Sequence, residues 1–537
     1  MKKPPGRSAD LLLTGAHVFT GNPQQPRAEA IATHGNRIVA VGTAEGLAGL
    51  AGKGTRVIEL PGKLVCPGFI DCHVHLMTAG LALWRADLGG CASREAIIER
   101  LRQKESTLPQ GAWLLGRGWD QELLGGTWPH RQWLDEAFGD RPVFLWRVDG
   151  HVAWASTSAL AIAGVGEAAD IPQGGQVIRD DAGQPTGIVT EGAADLVQSA
   201  APPPNAAERR EAIEAALAEL RRNGVTSVHE LSPPETLRTY SELRDEARLT
   251  VRISAWADLV EDLSGAEQMR EQFPATDPTI RCDTLKGFID GSLGAGTAAL
   301  LDPYVDNPSS TGVLRWDEEG LAAVVRKGHR SGFQVALHAV GDRAVHLALS
   351  VLDGLGGGGR VRRHRIEHAE VVSPGDLPRF LSVGAVAGMQ AGQLISDSVW
   401  LERRLGAGRL GRIFPWRQLL DQGTPLIMGS DWPIEPLNPA RTIAAAVGSV
   451  EMPGISFAPD GSWRAGKNLT VAETLTAMTK TAAWSTFEEQ SKGSLQAGML
   501  ADVVVLSADP FSVPPEEIGK MDVEMTIFDG RVVHSRQ

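Results

Sequence analysis

Cysteine is scarce, with four residues in 537 (Cys66, Cys72, Cys91 and Cys282) and no Cys-x-x-Cys pair. A disulfide framework is therefore not expected, and a reducing cytoplasm is the compartment that fits. No run of about 18 apolar residues is present, so no membrane span is expected. The start of the chain, Met1-Lys2-Lys3-Pro4-Pro5-Gly6-Arg7, is basic but lacks the apolar stretch of a signal peptide. Positive charge is also in deficit. A formal net charge of −13 disfavours nucleic acid and anionic membrane as partners. A small molecule remains the expected partner, and homo-oligomerisation is left open. There is no solenoid repeat.

What is present is ordinary for a globular chain: 42% apolar and 22% charged residues, with 61 glycines to serve tight turns. The length calls for one large domain and a smaller one. Residues 10–60 read as short strands and turns, and the same texture returns in Asp502–Leu506, Thr526–Phe528 and Arg531–Val533. Residues 1–64 and 491–537 are therefore expected to form one small β-sandwich from both termini. Between them, over 65–490, apolar strands alternate with helical patterns, as in parallel βα units. Nine strand candidates appear: 65–75, 142–149, 224–230, 249–257, 284–289, 333–338, 364–368, 383–389 and 425–430. An α/β (β/α)8 TIM barrel needs eight. The odd one is 142–149, inside a Trp-, Gly- and Pro-rich stretch (about 85–205) read as an insertion after the first barrel strand. Residues 201–204, Ala-Pro-Pro-Pro, end it, and an amphipathic helix over 207–222 restarts the barrel.

The strand ends carry the chemistry. Pro67-Gly68-Phe69-Ile70-Asp71-Cys72-His73-Val74-His75 ends in two histidines spaced i, i+2, which share one side of a strand. Downstream, Lys286, His338, His368 and Asp431 fall at the ends of later strands. In a TIM barrel such positions converge on one pocket. Four histidines and an aspartate suit zinc, manganese or iron.

Five motifs follow in order: Val148-Asp149-Gly150-His151, Lys286-Gly-Phe-Ile-Asp290-Gly291-Ser292, His338-Ala-Val-Gly341-Asp342-Arg343-Ala344, Arg365-Ile-Glu-His368-Ala, and Gly429-Ser430-Asp431-Trp-Pro. With the His-x-His pair, they resemble the metal-dependent amidohydrolase superfamily over nearly the whole chain. Within it they resemble amidohydrolase family 3, the YtcJ-like group that includes N-substituted formamide deformylase. The resemblance implies that His73, His75 and Asp431 hold one divalent ion, zinc above others. His338 and His368 would hold a second, with Lys286 bridging the two as a carbamate. The alternative for Lys286 is an ion pair with Asp290 or Glu230. Two such ions would make hydroxide available near neutral pH, and Asp431 would act as general base and then acid.

The expected reaction is hydrolysis of a C–N, amide-type bond in a small molecule. The same centre could serve an esterase, a lactonase or a carbamate hydrolase. A silent binding or regulatory homologue would have lost ligands, and none is missing. A deaminase lacks its His-x-x-Glu partner. Asp342 and Glu367 flank ligand histidines and could orient their N–H groups, although strand alternation turns Glu367 away, toward Arg365. His229 and Glu230 end the second barrel strand, so one of them faces the pocket. Substrate contacts are expected from His151 first, then Trp119, Asp120, Ser292 and Gln390, with most insertion tryptophans serving as core. The family's Gln-Pro-x-His segment reads Gln390-Ala391-Gly392-Gln393 here, which puts a neutral amide where the family has a cation-capable residue and weakens any substrate inferred from named relatives.

Overall fold

A computed structural model describes residues 8–165, 171, 174–450, 452 and 467–536; the basic segment 1–7 lies outside them. At the centre are eight parallel strands in sequential order. They are β1 (Phe69–Val74), β2 (Val225–Leu231), β3 (Arg252–Asp258), β4 (Ile280–Phe288), β5 (Gln334–Ala339), β6 (Arg365–His368), β7 (Val386–Met389) and β8 (Leu426–Met428). The ring closes through a parallel bridge between Val74 and Trp432. There Asp431 N donates to His73 O at 2.7 Å and His75 N to Trp432 O at 2.8 Å. Only glycine permits this approach at Gly429, because a Cβ there would lie 2.7 Å from both His73 N and Asp71 Oδ1. The architecture is a TIM barrel, and the eight barrel strands are those expected.

The helix that restarts the barrel spans Ala206–Arg222. Asn205 and Glu208 form a reciprocal capping box at its start, and Ala212, Ile213, Ala216, Leu217 and Leu220 form its buried stripe. Among the described residues, no helix is long and apolar enough to cross a membrane.

Both termini share one hydrogen-bonded sheet. Its order is Arg531–Ser535, Val523–Phe528, Val503–Leu506, Leu64–Pro67, Leu11–Phe19, Arg27–His34 and Arg37–Gly42, with Arg56–Glu59 also paired to Leu11–Phe19. Leu13, Ile31 and Val65 pack with Leu495, Val503 and Ile527 in its core. The first expected strand, 65–75, divides between the two bodies. Leu64–Pro67 runs antiparallel to Val503–Leu506, and the barrel begins only after Gly68. A Cβ at Gly68 would lie 2.1 Å from Thr226 Oγ1, so the crossing needs glycine.

The insertion forms a six-stranded sheet of its own, ordered Gln176–Arg179, Pro185–Thr190, Val152–Ala155, Val143–Arg147, Leu114–Trp119 and Ala86–Asp87. Val143–Arg147 is the ninth candidate strand, outside the barrel. One face packs Trp119 and Trp154 with Leu101 and Leu134; the other packs Phe144 and Ala153 with Leu160 and Val197.

Arg252, at the start of β3, fixes the terminal sheet to the barrel. Its guanidinium donates to both oxygens of buried Asp502 at 2.7 and 3.0 Å and to Asp529 Oδ1 at 2.9 Å. Arg252→Met strands the Asp502 carboxylate, with an expected loss of about 3–5 kcal/mol in chemical denaturation. A loss below about 1 kcal/mol, the range of an exposed pair, would contradict this role.

Candidate metal centre

The barrel interior beneath the strand ends is polar and ordered. Arg365, fully buried, donates to Glu367 Oε1 at 2.7 Å, to His229 Nδ1 at 2.9 Å and to Cys72 O at 2.8 Å. Its guanidinium lies over the Trp256 ring, 4.9 Å from the centroid. The other Glu367 oxygen is 2.9 Å from His73 Nδ1. Burial, with Lys286 nearby, holds His73 well below its usual range and so neutral. Glu367 then fixes the tautomer: Nδ1 carries the proton, and Nε2 presents its lone pair upward.

That lone pair meets three groups. Lys286 Nζ is 3.1 Å from His73 Nε2; Asp431 Oδ1 is 3.8 Å from it and 3.1 Å from His75 Nε2. Each of His73, His75 and Asp431 offers a ligand atom within 4.8 Å of the others. The His368 ring lies 4.9 Å from His73 and 4.4 Å from His338, and His368 Nδ1 is buried without a hydrogen bond. His338 Nε2 is 3.0 Å from Gly291 O. The donor set of imidazoles and one carboxylate suits a divalent ion such as zinc.

Lys286 pairs with neither Asp290 nor Glu230. Burial lowers its ammonium to about 8, with Trp256 and Phe288 flanking it at 5.3 and 5.0 Å. Asp290 is spent on the backbone amides of Val340, Gly341 and Ala299 at 2.9–3.0 Å, and burial raises it to about 7. Glu230 accepts from Leu76 N at 2.7 Å and so anchors the chain directly after His75. Burial alone would raise Asp431; His73, His75 and Lys286 offset this and hold it below the usual carboxylate range.

Above the centre lies a cavity of about 790 Å³ between barrel and insertion. His151, Asp120 and Ser292 line it. Asp120 Oδ1 accepts from Arg147 Nη2 at 2.8 Å. Asp149 takes a second Arg147 nitrogen at 2.7 Å and the Ser292 hydroxyl, which ties the insertion to the loop after β4. His151 Nδ1 sits 3.1 Å from Glu191 Oε2, and its ring is 5.1 Å from His338. Burial disfavours its charge, but Glu191 and Asp149 outweigh that and raise it to about 9.

Four expectations need correction. Trp119 is fully buried in the insertion core, donating Nε1 to Leu145 O at 2.8 Å, and Arg117 lines the cavity instead. A bulge between Arg117 and Trp119, with Gly118 at φ +94°, breaks the alternation that would have put them on one face. Asp342 touches no histidine; it accepts from Leu301 N at 2.8 Å and Arg412 Nη1 at 3.4 Å. Glu367 points into the barrel, because His368 and Ala369, at φ +73° and +46°, turn the chain so that both Glu367 and His368 face inward. Gln390 is buried with neither amide atom bonded, and it does not line the cavity. Gln393 does, with Nε2 3.3 Å from Asp431 Oδ2.

A model of the amidohydrolase family matches residues 56–534. The chain belongs to that family. It is 33% identical to Protein LONG AFTER FAR-RED 3 of Arabidopsis thaliana, over 94% of this chain and 88% of that protein. It is 30% identical to the putative amidohydrolase YtcJ of Bacillus subtilis, over 97% and 99%. Identity to the N-substituted formamide deformylase of Arthrobacter pascens is 26%, over 98% of each. The crystal structure of an uncharacterized metal-dependent hydrolase from Pyrococcus horikoshii superposes with a TM-score of 0.75 at 27% identity, covering 94% of this chain and 99% of that one.

The His151–Glu191 pair gives a pH signature. A histidine raised to about 9 contributes stability in full below its ordinary value of about 6.5 and loses it as pH rises through the raised one. In chelator-treated protein, wild type should melt above Glu191→Gln at low pH, and the gap should narrow between about pH 6.5 and about pH 9. A gap of constant width would contradict the pairing.

Proposed function

We propose that this protein hydrolyses a C–N, amide-type bond of a small molecule. The convergence of His73, His75 and Asp431 ligand atoms within 4.8 Å of one another carries this reading. These three would hold one divalent ion, zinc by the donor set, and His338 and His368 a second. Lys286 would join them as a carbamate. Burial lowers its ammonium to about 8, which keeps a share of neutral amine ready to attack carbon dioxide with loss of one proton. Bound there, such ions would supply a hydroxide nucleophile near neutral pH and Lewis-acid polarisation of a carbonyl.

The chain's own groups do the rest. Asp431 faces the cavity and is held ionised, so it can take the water's proton and return it to the leaving nitrogen. His151 spends Nδ1 on Glu191, which leaves its Nε2–H for a substrate oxygen. Glu367 keeps His73 in the tautomer that binds through Nε2. The deformylase relative, whose name gives N-substituted formamides as its substrate, supports an N-acyl or N-formyl compound. The Gln393 amide beside Asp431 separates this site from the family's Gln-Pro-x-His pattern.

A panel of N-formyl, N-acyl and ester substrates, run with and without chelator, tests the reading. Amides should be turned over and chelator should abolish activity; chelator-insensitive turnover or ester-only turnover would contradict it. Asp431→Asn should keep the fold and lose about 10²–10⁴-fold in kcat, and near-wild-type turnover would remove it from the mechanism. Glu367→Gln should weaken metal affinity about 10–100-fold in a competition titration, and unchanged affinity would leave Glu367 a purely structural part.

A further inference from the structure

Beyond the metal centre, one wall of the cavity carries two acidic groups that form no ion pair among the described residues. Glu370, two residues past His368, is 5% exposed and lines the cavity. Among the described residues its carboxylate makes no hydrogen bond and no ion pair. Asp397 lines the same cavity and is likewise unpaired. It ends the helix Ala391–Asp397, where the last backbone carbonyls add to the repulsion of a negative charge. The two carboxylates lie close enough to repel each other. The cations nearby are committed elsewhere. Arg147, the arginine closest in effect to Asp397, is bonded to Asp120, Asp149 and Gln121. Arg441 is bonded to Glu435 and Ser396.

An independent feature points the same way. Gln393, one helical turn before Asp397 and 7% exposed, donates its amide nitrogen to Asp431. Its oxygen is thereby left buried without a donor. Trp400, whose backbone N–H bonds to Asp397 O, lines the cavity next to them. Once ionised, the two carboxylates accept only, as does the amide oxygen, so a ligand that supplies donors and positive charge completes the arrangement. Ten acidic side chains line the cavity against five arginines. Leaving such groups unpaired in a buried wall is costly unless a ligand completes them.

We propose that Glu370, Asp397 and the Gln393 oxygen form a subsite for a cationic nitrogen group of the substrate, an ammonium, amidinium or guanidinium, with Trp400 flanking its stem. The substrate class is then a small amide bearing a positive charge away from the scissile bond. This rests on the hydrolase reading above for the bond cleaved, but not for the binding of the cation.

The test compares N-acylputrescines with the N-acylpentylamines of equal length, as formyl and acetyl compounds, on the metal-loaded enzyme. Wild type should favour the cationic member by about tenfold to a hundredfold in kcat/KM, mainly through KM. That ratio should fall toward one in Glu370→Gln and Asp397→Asn. Equal use of both members by wild type, or a ratio unchanged in both variants, would overturn the subsite while leaving the hydrolase reading intact. Calorimetry with butylammonium separates the two ideas if no amide is turned over. Binding to wild type that both variants abolish would uphold the subsite alone, and no binding to wild type would overturn it.

Discussion

The Arg365 guanidinium, buried at the heart of the barrel, sets the geometry above it. A charge in that position must be fully answered, and Glu367, His229, Cys72 O and the Trp256 face answer it together. Glu367 then has one oxygen left, and that oxygen fixes His73. The imidazole it holds faces Lys286, Asp431 and His368 from below. A polar column therefore runs from the barrel floor to the candidate metal centre, and each member's orientation depends on the one beneath it.

Barrel closure supplies the remaining half of the centre. Because Gly429 lets β8 come against β1, Asp431 N reaches His73 O and the carboxylate comes over both histidines. Asp431 and His368 both adopt left-handed backbone, at φ +59° and +73°. Conformations of this kind are costly away from glycine and cluster where a side chain must be aimed. The insertion roofs the site with a separate sheet, and Asp149 joins the two bodies through Ser292. The barrel thus fixes the candidate chemistry, while the cavity wall shared with the insertion governs what fits beside it.

Much of this was readable from residue order. Strand spacing placed the eight barrel strands, because parallel buried strands are marked by apolar runs at regular βα intervals. The polar residue ending each run gave the candidate ligands. What stayed hidden depended on departures from regular geometry. Glu367 shares the inward side with Arg365, and it is His368 that left-handed backbone brings to the same side, while Trp119 was turned away by a bulge before it. Gln393 and Asp397 share one turn of a short helix, but Glu370 comes from the loop after β6, so no spacing in the sequence joins all three. Asp342 shows the opposite error: it sits beside a ligand motif in sequence but serves a loop and Arg412.

The proposed binuclear site draws on His73, His75, Asp431, His338, His368 and Lys286. Elemental analysis of the purified protein, alongside Lys286→Ala, tests it most directly. Two divalent ions per chain are expected in wild type, with loss of at least one in the variant. An ion-free wild type that still hydrolyses amides, or a Lys286→Ala protein that keeps both ions, would contradict it.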